Sequence, residues 1–155
     1  MIMKIGQKLK DINFITNDND NFAEKDLVGK KLIIYFYPKD DTPGCTKEAI
    51  DFSDHIGKFT EHNSKIFGVS KDTVEKHNKF ISKYDLKINL ISDVSLEICK
   101  KFNTWVEKSM YGKKYMGIER ATFVFDKDLV LIKSWRNVKV KGHVDEVLDF
   151  IINQA

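Results

Sequence analysis

The stretch Leu32-Ile33-Ile34-Tyr35-Phe36-Tyr37-Pro38-Lys39-Asp40-Asp41-Thr42-Pro43-Gly44-Cys45-Thr46-Lys47-Glu48-Ala49 leads from an apolar run into a helix and sets a cysteine at the join. The first six residues are apolar, β-branched or aromatic without a polar break, which predicts a strand buried on both faces. Pro38 ends it, because proline offers no N–H to a sheet ladder. Beyond the loop, Ala49, Phe52, Ile56 and Phe59 recur at spacings of three and four, so an amphipathic helix is expected from about Pro43 to Glu61. Thr42 suits the N-cap and Pro43 the first helical position, whose N–H would have no intrahelical partner. Cys45 then falls in the first turn.

A thiol in a first turn faces free backbone N–H groups and the positive end of the helix dipole, and both favour the thiolate. A cysteine with a pKa of ~8.5 is only a few per cent ionised at neutral pH, whereas one near ~6 is roughly nine tenths nucleophile.

At this point the chain resembles a known family. Tyr37-Pro38-Lys39-Asp40-Asp41-Thr42-Pro43-Gly44-Cys45-Thr46-Lys47-Glu48-Ala49 is similar to the active-site loop of peroxiredoxins, closest to the Q type, also called bacterioferritin comigratory proteins. The family pattern of proline, three residues, threonine, two residues and cysteine falls on Pro38, Thr42 and Cys45. The family's later arginine matches Arg120, in Gly117-Ile118-Glu119-Arg120-Ala121-Thr122-Phe123. The resemblance covers nearly the whole chain and implies a thiol peroxidase that needs no cofactor or metal.

With 155 residues the chain is expected to form one domain, residues 1–155, large enough to bury a core without disulfides. Its net charge of +3 comes from interspersed charges of both signs, with no long basic run, which argues against a nucleic-acid partner. No apolar stretch approaches twenty residues and Met1-Ile2-Met3-Lys4-Ile5-Gly6 lacks the core of a signal peptide, so neither a membrane span nor export is expected. Two cysteines far apart agree with a reducing, cytoplasmic setting.

Alternation in Asp11–Thr16 and the turn-rich Asn17–Asn21 predict an N-terminal hairpin. Asp26–Lys30 reads as a turn, Ser64–Ser70 and Asn89–Asp93 as strands. Val74, His77, Phe80, Ile81 and Tyr84 form a helical stripe, as do Leu96, Cys99 and Phe102. Val106–Ile118 is expected to be a loop, either a solvated connection or a surface for a partner. Ala121–Asp126 and Leu129–Trp135 flank a turn at Lys127-Asp128, and Val144, Val147, Leu148 and Ile151 mark a final helix. Periodicity alone gives an α/β fold with a mixed central sheet between helices. The resemblance narrows this to a thioredoxin-like fold.

Peroxide reduction requires a thiolate to attack one oxygen while the other leaves as an anion. Arg120, permanently charged and presenting a fixed fork of donors, suits both the sulfur and the developing charge. By resemblance, the Thr42 hydroxyl bonds the thiolate and the peroxide, although it also suits the cap. By resemblance Pro38 shields the pocket, a role compatible with its ending the strand. Glu48 matches a position that tunes the pocket rather than reacting. The four histidines, His55, His62, His77 and His143, show no metal-ligand spacing and are read as surface or core-edge residues, with Trp105 and Trp135 in the core or at its rim.

Many Q-type members carry a resolving cysteine five residues after the first, and here that position is Ile50. Cys99, on an apolar stripe, is then either a buried structural residue or a displaced resolver. Without a resolver, the sulfenic acid at Cys45 is left to an outside thiol, from a thioredoxin, a glutaredoxin or a small molecule. The protein itself is expected to be a monomer or a homodimer. A disulfide oxidoreductase would need Cys-x-x-Cys, but Glu48 occupies the second place. A non-enzymatic peroxide sensor using the same sulfur remains the alternative.

Overall fold

A computed structural model describes residues 3–154. At its centre a five-stranded sheet is built from β3 (Lys31–Phe36), β4 (Ser64–Ser70), β5 (Asn89–Ser92), β8 (Ala121–Phe125) and β9 (Leu131–Trp135), in the order β5-β4-β3-β8-β9. β3, β4 and β5 run parallel, β8 runs antiparallel to β3, and β9 runs antiparallel to β8. β1 (Asn13–Ile15) and β2 (Asn21–Ala23) form the expected N-terminal hairpin, which leads into a single helical turn, α1 (Glu24–Leu27), where a plain turn was expected.

The continuous apolar run of β3 has its explanation in two cores. Leu32, Ile34 and Phe36 point to one face, packed with Phe67, Phe102, Phe123 and Phe125 beneath the N-terminal segment and α5 (Glu97–Lys101). Ile33, Tyr35 and Tyr37 point to the other, against α2 (Pro43–Asp54), α4 (Val74–Tyr84) and α6 (His143–Ile152). A strand with helices over both faces has no polar side to show, so period-two alternation disappears from its sequence.

The helix expected over residues 43–61 is two helices, α2 and α3 (Ile56–Glu61), broken at His55. The His55 ring Nδ1 lies 2.8 Å from the Asp51 carbonyl and donates to the acceptor that the His55 backbone N–H would use in an unbroken helix. That N–H turns instead to the carbonyl of Phe52 at 3.3 Å. A second correction concerns residues 106–118, expected to be a loop. β6 (Trp105–Met110) and β7 (Lys113–Ile118) form an antiparallel hairpin there. Its turn residues Tyr111 and Gly112 both have positive φ, 51° and 78°, the twist that suits a two-residue hairpin connection. β9 also starts two residues later than expected. Leu129 sits at φ 65° in the turn, and its carbonyl accepts from Leu9 N–H at 2.8 Å.

No helix among the described residues is long and apolar enough to cross a membrane. Phe102 anchors the first core, with its ring centroid 5.1 Å from Phe36 and 4.9 Å from Phe123. Phe102→Ala should lower unfolding stability by about 3–5 kcal/mol, the usual cost of emptying a fully buried aromatic site. Urea titration checks this, and a loss below about 1 kcal/mol would mean that the core collapses around the gap.

Candidate active site

Cys45 lies in the first turn of α2, with Thr42 at the N-cap and Pro43 in the first helical position. Its thiol is almost wholly buried, 1% exposed, against the Tyr35 and Tyr37 face of the sheet. Arg120 enters from the short link between β7 and β8, 75 residues away in sequence, and places Nη2 3.4 Å from Cys45 Sγ. Gly44 makes room for this approach, since a Cβ there would stand 3.2 Å from Nη2.

The other arm of the guanidinium, Nη1, donates to Glu48 Oε1 at 2.7 Å. Cys45 and Glu48 are three residues apart, so one helical face presents both to the same cation. Glu48 is completely buried and its second oxygen, Oε2, has no hydrogen-bond partner. Pro38 follows β3, half-buried, and lines with Arg120 an open cleft of about 480 Å³ walled by the β6–β7 hairpin. Thr42 does not cap the helix with its side chain. Its hydroxyl donates to the Lys39 carbonyl at 3.0 Å.

The loop between β3 and α2 is held from below by a polar network. His77 is fully buried, unlike the surface or core-edge place expected for it. Its Nε2–H donates to the Ile91 carbonyl at 2.9 Å, and its Nδ1 lies 2.7 Å from Asp40 Oδ2. Tyr37 donates to the other Asp40 oxygen at 2.6 Å, and Asp72 accepts from the Asp40 backbone N–H at 2.8 Å and from the Ser70 hydroxyl at 2.7 Å. Asp40, Asp72 and His77 gather three ligand-type atoms, but these hydrogen bonds already use them to hold the loop. Next along the loop, Asp41 accepts from Lys83 at 2.8 Å and from the Tyr84 hydroxyl. His143 is buried too, 2.7 Å from Thr122 Oγ1, and burial lowers its pKa to about 4. His55 and His62 are half-buried, at the edge as expected. The place of His77 on the apolar stripe of α4 was a signal of its burial, whereas nothing local marks His143, whose partner Thr122 comes from β8.

Cys99 lies in the opposite core. Asp93 caps α5 there, its carboxylate accepting from the N–H groups of Ile98 and Cys99 at 3.1 and 2.8 Å. Burial, aided by this carboxylate, pushes the Cys99 thiol far above the ordinary cysteine range. The central sheet stands between the two sulfurs, since they belong to the cores on its opposite faces.

Burial pushes the Glu48 carboxyl up to about 7, against the opposing pull of Arg120. Between its ordinary value of 4.5 and 7 the unfolded chain has released this proton while the folded chain retains it. The unfolded state binds fewer protons there, so Glu48 makes stability fall as pH rises through that window and level off above it. Removing the titration in Glu48→Gln should make the stability difference, variant minus wild type, climb by on the order of 1 kcal/mol per pH unit between about 4.5 and 7. Denaturant unfolding across that range reads the slope, and parallel profiles would refute the assignment.

The chain is similar to known proteins along nearly its whole length. The model of the AhpC/TSA family matches residues 5–134. The chain is 47% identical over 148 residues to the peroxiredoxin Bcp of Bacillus subtilis, covering 96% of this chain and 94% of that protein. It is 44% identical over 148 residues to a protein of Coxiella burnetii named as a putative peroxiredoxin, covering 96% and 98%. Among solved structures, peroxiredoxin Q of Xanthomonas campestris superposes with a TM-score of 0.90 at 37% identity, over 99% of this chain and 97% of that one. A second structure from the same organism, described as the bacterioferritin comigratory protein with alkyl peroxide reduction activity, gives 0.89 at 36% identity, over 97% and 96%. Matched in sequence and in fold along nearly its whole length, the chain belongs to the AhpC/TSA family, among the Bcp or Q-type peroxiredoxins.

Proposed function

We propose that the protein reduces hydrogen peroxide and organic hydroperoxides, with Cys45 as the attacking thiolate. The observation that carries this reading is the Arg120 guanidinium, 3.4 Å from a sulfur in the first turn of a helix. Cation and helix end together favour the anionic sulfur. The sulfur attacks the terminal oxygen of R–O–OH, the S–O bond forms as the O–O bond breaks, and Cys45 becomes a sulfenic acid while the second oxygen leaves with the electron pair. Sulfur supplies the two electrons.

Arg120 then lies where negative charge moves from sulfur to oxygen. Thr42 gives its hydrogen to Lys39, which leaves its oxygen to accept the O–H of the peroxide. Pro38 walls the cleft with a ring that offers no N–H to compete.

The sulfenic acid is reduced by an external thiol, from a thioredoxin, a glutaredoxin or a small molecule, supplied in the cytoplasm. Two observations support a one-cysteine cycle. Ile50 stands where many Q-type members have a resolver, and the sheet separates Cys99 from Cys45. Since Cys45 is 1% exposed, the reductant reaches it only after the first turn of α2 opens. The same surface serves a monomer or a homodimer.

Cys45→Ser should abolish peroxide consumption with the fold intact, and a Ser variant retaining most of its activity would end this reading. Continued turnover with a supplied thiol separates an enzyme from a sensor, which reacts once. One equivalent of peroxide should add one oxygen to the intact mass under non-reducing conditions, and excess peroxide two. Loss of two hydrogens instead would make Cys99 the resolver.

Arg120→Ala should lower the second-order rate constant for peroxide by at least about a hundredfold, the typical effect of losing one preorganised donor. Arg120→Lys should recover only part, because an ammonium cannot hold sulfur and carboxylate in one fork. Stopped-flow rates decide, and full activity in Arg120→Lys would reduce the role of Arg120 to bare charge.

A further inference from the structure

The β6–β7 hairpin brings a second cation to the cleft. Its pairing sets Lys108 opposite Tyr115 and Val106 opposite Gly117, so these four share one face of the ribbon. Gly117 leaves its place on that face bare. A Cβ there would meet Lys108 Cδ at 3.2 Å, Lys108 Cε at 3.4 Å and the Tyr115 ring at 3.4 Å. The Lys108 stem therefore leans diagonally across Gly117 toward the base of the hairpin, where the chain runs through Ile118 and Glu119 into Arg120. Lys108, Arg120, Tyr115 and Pro38 line one cleft.

Lys108 is half-buried, whereas Lys113 and Lys114 at the far end of the ribbon are exposed. Among the described residues no carboxylate pairs with it. Glu107 pairs with Lys114, and Glu119 is held by Arg136 at 2.8 Å. Burial and the nearby charge of Arg120 hold its ammonium below the ordinary lysine pKa, against the opposite pull of Cys45 and Glu119. An unpaired cation with an eased proton stands beside the guanidinium that holds the sulfur.

In-line displacement at oxygen puts the leaving oxygen on the side away from the attacking sulfur. Arg120 touches Cys45 Sγ and also lines the cleft, so a leaving oxygen held by the guanidinium on the side away from the sulfur faces the cleft. The leaving oxygen needs a proton, and the groups around the sulfur are poor sources. Arginine does not release one in proteins. The Thr42 hydrogen is on Lys39, and Glu48 is sealed behind the guanidinium.

We propose that Lys108 is a catalytic residue for this reaction, the general acid that protonates the alkoxide or hydroxide leaving the peroxide. This rests on the peroxidase reading above. In the step, the thiolate and ROOH give Cys45–SOH and RO⁻, and the Lys108 ammonium passes one N–H proton to RO⁻ to yield ROH and a neutral amine. Solvent then restores the ammonium. Charge is conserved, and no further oxidant or reductant enters.

A general acid matters in proportion to how poor the leaving group is. The test is therefore the rate of Cys45 oxidation in Lys108→Met with two substrates. From ethyl hydroperoxide the leaving group is an alkoxide, whose conjugate acid is about as weak as water, pKa ~15.7. From peracetic acid it is a carboxylate, of the class with conjugate-acid pKa about 4. Lys108→Met should slow the alkyl hydroperoxide by roughly a hundredfold, the lower range for losing a general acid. The peracid should slow less than about threefold by the same argument, and this second rate also shows that the variant is folded.

Lys108→Arg, which keeps the charge but not a releasable proton, should behave like Lys108→Met. Tyr115→Phe removes another protic group lining the cleft and tests whether tyrosine is the acid instead. Equal losses with both substrates, full rescue by arginine, or a leaving-group effect in Tyr115→Phe in place of Lys108→Met would each overturn the proposal. Absence of turnover in the wild-type protein would instead sink the peroxidase reading itself, so the two failures are distinct.

Discussion

One guanidinium, that of Arg120, is shared between a sulfur at 3.4 Å and a buried carboxylate at 2.7 Å. The carboxylate fixes the plane of the fork and the sulfur takes what the fork has left. Because Glu48 and Cys45 lie on one helical face, a rotation of α2 would move both together, so the register of that helix sets the geometry. The link between β7 and β8 must then begin β8 at Ala121, which pairs with Phe36, so that Arg120 projects over the end of β3 where the loop departs. The competition also has an electrostatic side. An ionised Glu48 draws on the same positive charge that favours the thiolate, so the carboxylate steadies the cation and tempers it at once.

The loop before Cys45 is fastened by side chains and not by a ladder. Asp40 ties it to His77 and Tyr37, Asp72 receives its backbone N–H, and Asp41 ties it to α4. A buried histidine–carboxylate pair is not an efficient source of stability, because desolvation offsets most of the attraction. Its value lies in direction, since each partner accepts one arrangement. An apolar substitute would fill the space without specifying where the loop should turn.

The sequence carried the parts of this structure whose causes are local. Six apolar residues, a proline and a Thr-Pro-Gly turn placed β3, the loop and the start of α2, and the structure agrees. The break at His55 was hidden because it depends on a ring nitrogen replacing a backbone donor, and amphipathic spacing runs through it undisturbed. The β6–β7 ribbon was hidden for another reason. It stands apart from the central sheet and much of it faces solvent, so its residues show no apolar face for period-two alternation to reveal. The burial of His77 follows from partners on β5 and in the loop before α2, neither adjacent in sequence. Arg120 was singled out by family resemblance alone; nothing in its own surroundings in the sequence distinguishes it from a surface arginine.

Gly44 shows what the arrangement gives up. It occupies the second position of α2, where alanine would lose less conformational freedom on folding. The missing methyl would stand 3.2 Å from Arg120 Nη2, and the flexible guanidinium, not the helix, would be the part to yield. A sturdier α2 and a well-seated Arg120 therefore make opposite demands on a single carbon atom, a trade between stability and activity fixed at one position. Substitutions that strengthen this helix elsewhere, on its solvent side, escape that conflict, whereas at residue 44 any gain in helix stability is drawn from the contact that polarises the sulfur.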